Sequence, residues 1–152
     1  MLTYYCPHCW HTLEGKATLC PYCGYDLSEF ESLSYPQKLI HALHHPIPER
    51  RVIAAQVLGE LGAAEALPAF EALLDKLQDE QYDYYLLRAV LEAVARIPDP
   101  RRVALLRRAT HHPADLIARL AHDLLAQVEG LEGFDAPHQP LGGVAGEEDQ
   151  NA

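Results

Sequence analysis

The sequence predicts a mainly α-helical chain, a short α-solenoid of stacked helix pairs behind a small cysteine-rich N-terminal module. Three observations predict it. Residues 48–62 carry Ile53, Ala54, Val57, Leu58 and Leu61 at steps of three and four, with Glu49, Gln56 and Glu60 on the opposite stripe. The pattern returns 36 residues later and again after a further 31, pairing Leu58 with Val94 and Val94 with Leu125. All four cysteines fall within the first 23 residues. Helix pairs repeating at about 35 residues bury a continuous core only by stacking on one another.

At 152 residues, 49% apolar and 22% charged, the chain has a globular composition. Its net charge of −10 is unevenly placed. Residues 1–31 set one Lys against Glu14, Asp26, Glu29 and Glu31, residues 130–152 hold five acids and no Lys or Arg, and the stretch between is nearly balanced. The N-terminal residues lack the basic and apolar segments of a secretory signal, and no apolar run reaches membrane-spanning length. The expectation is a soluble cytoplasmic protein with no membrane partner.

In chain order, the first element is Cys6-Pro7-His8-Cys9, ten residues, then Cys20-Pro21-Tyr22-Cys23-Gly24. Two Cys-x-x-Cys turns so spaced can set four thiolates tetrahedrally around one zinc ion at about 2.3 Å, a closed structural site of soft donors. Gly24 supplies the positive φ that commonly follows such a turn. Trp10 stands at the matching place in the first turn, so either that turn avoids the left-handed region or Trp10 tolerates a cost of about 1–2 kcal/mol. A redox dithiol would need a βαβ unit around it, and disulfides would need an exported protein.

These residues, with Cys23-Gly24-Tyr25-Asp26-Leu27, resemble the short bacterial zinc-ribbon family over about residues 3–28. The resemblance implies one structural Zn2+ held by Cys6, Cys9, Cys20 and Cys23 in an appendage that catalyses nothing. His8 and His11 read as exposed loop residues. Tyr4, Tyr5, Trp10, Tyr22 and Tyr25 could stack on nucleic-acid bases, but a module this small needs its aromatics as a substitute core, and its negative charge opposes phosphate.

The expected organisation is a zinc ribbon over 1–28, a linker over 29–35, helical repeats over 36–129 and an acidic, largely disordered tail over 130–152. Ser34-Tyr35-Pro36 opens a helix running to about Leu43. Pro48 suits the first turn of the next helix and Gly62 its end. Residues 64–77 bury Ala66, Phe70, Leu73, Leu74 and Leu77, and residues 99–110 bury Leu105, Leu106 and Ala109. Around 84–97 only Tyr85, Arg88, Glu92 and Arg96 are polar, on one narrow stripe, so neighbours must cover most of that helix. In the tail, Leu131, Phe134 and Leu141 are candidates to cover the open end of the solenoid.

The stretch from Arg51 through Leu58-Gly59-Glu60-Leu61-Gly62, and its second copy from Arg88 through Ile97-Pro98-Asp99-Pro100, resemble the HEAT repeat, in the short bacterial form known from phycobilin lyases. The resemblance covers about residues 36–129. It implies a scaffold far more often than an enzyme. The third copy reads as incomplete, lacking its second helix.

No catalytic constellation emerges. His44-His45-Pro46 returns as His111-His112-Pro113 at an offset of 67 residues, and both pairs read as polar loop residues. Arg101, Arg102, Arg107 and Arg108 crowd one short helix and could grip carboxylates or phosphates. Because Glu65, Glu71 and Asp75 stand on the preceding helix of that row, a protein partner suits the surface better than nucleic acid. The expected function is a non-enzymatic zinc-binding adaptor for protein–protein interaction, with no small-molecule substrate. The alternatives are a nucleic-acid-binding protein using the ribbon and the Arg101–Arg108 helix, and a lyase-like chromophore-attachment enzyme.

Overall fold

A computed structural model of the chain describes residues 4–79 and 83–134. It is mainly helical. A two-stranded antiparallel hairpin comes first, β1 (Tyr4–Tyr5) with β2 (Thr12–Leu13), with Tyr4 opposite Leu13 and Tyr5 opposite Thr12. Helix α1 (Leu27–Glu31) follows, its first turn capped by the Asp26 carboxylate accepting from the Ser28 N–H at 2.9 Å. This helix crosses the boundary expected between the ribbon (1–28) and the linker (29–35).

Helix α2 (Tyr35–Ala42) starts at Ser34, as expected. The Ser34 hydroxyl accepts from the Gln37 N–H while the Gln37 side chain accepts from the Ser34 N–H, so two donors that a helix start leaves orphaned are satisfied reciprocally. Helices α3 (Pro48–Glu60), α4 (Leu67–Lys76, after a 3-10 turn at Ala64–Ala66), α5 (Tyr84–Arg96), α6 (Arg101–Ala109) and α7 (Asp115–Phe134) complete the described chain. The last helix thus runs past residue 130, where the tail was expected to begin. Residues 135–152, Leu141 and the acidic cluster among them, lie outside the described residues.

The helices form two rows. Long helices α3, α5 and α7 pack side by side, and the shorter α4 and α6 meet in the second row, where α2 precedes them. Because α2 packs on α3 and α6 on α7, the repeating unit is a short helix, a loop and a long helix. Phased this way the chain holds three pairs, α2/α3, α4/α5 and α6/α7. The third copy looked incomplete only because the sequence was phased on the long helix.

The core lies between the rows. Phe70, Leu58, Leu67, Leu86, Leu87, Leu91, Ile97, Leu106 and Ile117 are all buried there. In α4 and α6 the expected residues are buried, except that Leu77 is half-buried. The apolar face of α3 needs correction. Ala54, Ala55, Leu58 and Gly59 are buried, but Ile53 and Leu61, assigned to the core from their spacing, stand 54% and 50% exposed. They lie off the Ala55–Gly59 side of α3 that packs on α5, and among the described residues no earlier long helix covers them.

Candidate metal centre

The two cysteine turns are built alike. In the first, Cys6 N–H donates to His11 O at 3.0 Å and Trp10 N–H to Cys6 O at 2.8 Å. In the second, Cys20 N–H donates to Tyr25 O and Gly24 N–H to Cys20 O, both at 2.9 Å. The equivalence extends to the backbone, for Trp10 has φ +62° and Gly24 φ +75°. Trp10 therefore accepts the left-handed conformation that glycine would take freely.

All four Sγ atoms lie within 4.8 Å of one another. Cys6 Sγ and Cys23 Sγ are 3.7 Å apart, as are Cys9 Sγ and Cys20 Sγ. A tetrahedron of sulfurs at 2.3 Å from its centre has edges of about 3.8 Å, so the spacing suits one tetrahedral metal ion. None of the four is bridged in a disulfide. Cys6 and Cys20 are buried, Cys9 half-buried and Cys23 exposed.

The electrostatics of the thiols point the same way. Burial raises Cys20, but the main-chain N–H groups of Cys23 and Tyr22 outweigh it and bring the thiol down to about 7. At Cys23 the Tyr25 N–H favours the thiolate, yet burial and the neighbouring sulfurs of Cys9, Cys20 and Cys6 push it up to about 12. Cys9 is raised too, against the pull of the His11 N–H. Negative charge on the first sulfur discourages charge on the others. A cation at the centre removes that conflict, and the cluster can hold one metal ion.

The aromatics around the cluster do more than fill space. His8 stacks on Tyr25 with centroids 5.4 Å apart, and His11 on Tyr22 at 4.4 Å, so each turn lends a histidine or tyrosine to the other. Tyr5 and Trp10 turn instead toward the solenoid, meeting the His45 ring edge-on at 4.9 and 5.0 Å. His45 is buried, 6% exposed, not the free loop residue its sequence suggested. Its Nδ1 accepts from the Ile47 N–H at 3.0 Å, satisfying the chain just before α3.

His112, buried at 8%, repeats the device with its Nδ1 accepting from the Ala114 N–H at 3.1 Å. Its Nε2 lies 3.0 Å from Leu77 O, in the loop of the preceding pair. His45 has no preceding pair, and in its place stands the cysteine module. The repeated His-His-Pro motif was the signal for this, since a loop needing only polarity has no reason to keep both the residues and their spacing.

The four arginines named from the sequence are engaged inside the chain. Arg108 pairs with Glu71 and Asp75, Arg107 with Glu129 at 3.3 Å, and Arg101 with Asp99 at 3.0 Å. Arg102 donates to the carbonyls of Ala95 and Ile97 at 3.3 and 3.5 Å. The acidic and basic ridges meant to lie side by side are thus joined to each other. On the polar stripe of α5, Arg88 and Glu92 pair at 3.0 Å.

The model of the HEAT-repeat family matches residues 36–126. The chain belongs to the HEAT-repeat family. No curated protein and no solved structure gives a significant match. The two-row stack follows from that membership, and the HEAT repeats begin where α2 does. Among the described residues, no helix is long and apolar enough to cross a membrane.

Proposed function

We propose that this HEAT-repeat protein is a non-enzymatic adaptor that carries one structural zinc ion in an N-terminal ribbon and binds a protein partner in the cytoplasm. The observation that carries the reading is His45 held between Tyr5 and Trp10. It joins the metal module to the first loop of the solenoid, so a partner meets one continuous surface. Four thiolates with tetrahedral spacing suit zinc, and unbridged thiols suit a reducing compartment.

A protein partner is favoured over nucleic acid because Arg101, Arg107 and Arg108 already face carboxylates and so leave no uniform cationic track for phosphates. The test is capture of partners from native cytoplasm by the full chain, by the chain lacking residues 1–28, and by a Cys9→Ser/Cys20→Ser variant. Specific proteins held by the full chain and lost from both altered forms would support a composite surface. Capture of nucleic acid of many sequences, released steeply by salt, would refute it.

A further inference from the structure

Each long helix after the first receives its predecessor on one stripe. In α5 the stripe is Ala89, Ala93 and Ile97, exposed by only 3, 2 and 0%, and in α7 it includes Leu124 and Val128, at 9 and 2%. Carried back by the repeat offset, the stripe falls in α3 on Ile53, Val57 and Leu61. Ile53 and Leu61 are half exposed and Val57 is half-buried. The far edge of the row differs. There α7 presents Arg119 and His122, both exposed, with the small Ala126 beside them. Among the described residues, that edge of the row carries charge and polarity, whereas the stripe on α3 is apolar. The ring contacts of the cysteine module stop at His45 and leave Ile53 and Leu61 uncovered.

Charge on the same helix selects the occupant. Arg50, whose Nη1 lies 3.5 Å from His45 Nε2, stands at the N-terminal end of the stripe, and Glu60, about two turns after Ile53, stands at the margin between the stripe and the outward face; both are exposed, so the face is complementary to itself reversed. We infer that α3 is a self-association surface on which a second copy of this chain packs its own α3 antiparallel, about Val57. Ile53 of one copy then meets Leu61 of the other, and Arg50 lies about one turn from the other copy's Glu60. The pairing is two-fold and closes on itself. A head-to-tail stack would instead set Arg119 against the apolar stripe, burying its charge without a partner. The repeat region carries little of the net charge, so two copies meet there with little repulsion.

Sedimentation velocity of the full chain, purified under reducing conditions and run over a dilution series, tests this. The expected result is a dimer that dissociates on dilution. Ile53→Glu and Leu61→Glu should each give a monomer with unchanged helix content, while Gln56→Glu on the outward stripe stays dimeric. Arg50→Glu should weaken the dimer, and pairing it with Glu60→Arg should restore it. A chain monomeric at every concentration overturns the inference, whether the face is then covered by residues 135–152 or by another protein. A dimer that Ile53→Glu and Leu61→Glu leave intact overturns it as well.

Discussion

Gly59 of α3 lies directly against Ala93 of α5: a Cβ placed on Gly59 would stand 2.7 Å from Ala93 Cα and 2.8 Å from its Cβ. Glycine inside a helix is unfavourable by roughly 0.5–1 kcal/mol relative to alanine, so its place here is set by the approach of the two helices. Ala55, one turn earlier, is fully buried on the same side of α3. Small residues on this face let the long helices pack closely and tie the first repeat to the second.

Gly59→Ala should therefore destabilise the fold in spite of its better helix propensity, by about 1–3 kcal/mol through overpacking. Thermal and urea denaturation would measure it. A variant more stable than wild type by about 1 kcal/mol, the bare propensity gain, would show that the helices are not in such close contact.

Leu58 and Leu61 were both core residues by spacing, and the structure separates them. Leu58→Ala removes a fully buried side chain and should cost about 2–5 kcal/mol. Leu61→Ala, measured at dilutions that keep the chain monomeric, should cost about 0.5 kcal/mol. Gln56→Ala should be close to silent. Equal losses at Leu58 and Leu61 would restore the original helical phase.

The metal prediction uses the single tryptophan. Freshly purified protein should carry one equivalent of zinc, and Cys20→Ser should abolish it. Chelation unfolds the turns that hold Trp10 against His45, so its fluorescence should shift to the red while most helical circular dichroism persists. Fluorescence indifferent to chelation would mean that module and solenoid are not joined through this ring.

Acid should loosen the same junction. Burial, with Arg50 and Arg51 nearby, holds the His45 imidazole below its ordinary value of 6.5. A proton therefore binds the unfolded chain more readily than the folded one. The contribution of His45 is present above 6.5 and is lost progressively as pH falls from there toward the lower folded value. Protonated Nδ1 can no longer accept the Ile47 N–H. His45→Asn keeps an acceptor near that N–H without a titrating ring and should flatten the fall in unfolding free energy between pH 7 and pH 5, approximately the range in which imidazoles titrate. Identical pH profiles for the two proteins would remove His45 as the cause. His44, also held low, first by burial and then by Lys76 and Arg51, calls for a parallel His44→Gln control.

Much of this molecule is written locally. The Cys6, Cys9, Cys20 and Cys23 spacing dictates the cluster, because four donors on two short turns have few ways to converge. Ser34 with Gln37 marks the start of α2, and Asp83 that of α5, where its carboxylate accepts from the Leu86 N–H at 3.1 Å. The recurrence of apolar positions reveals the stack, since a helix covered on most of its circumference cannot stand alone. The cysteine turns and the caps depend on residues close together in the chain, and the recurrence needs only the pattern within each helix, read again one repeat later.

What the sequence by itself could not decide was which faces find a neighbour. Periodicity places Ile53, Val57, Leu58 and Leu61 on one broad side of α3, but burial is granted by another helix, and among the described residues α3 has a long neighbour on one edge only. His45 and His112 look like solvated loop residues until Trp10 folds over one and the Leu77 carbonyl meets the other. Likewise the Arg101–Arg108 helix reads as open cationic surface until α4 brings Glu71 and Asp75 beside Arg108. Local spacing determines which residues share a face, whereas tertiary contact across tens of residues decides what that face touches, and with it whether a side chain is core, joint or free surface.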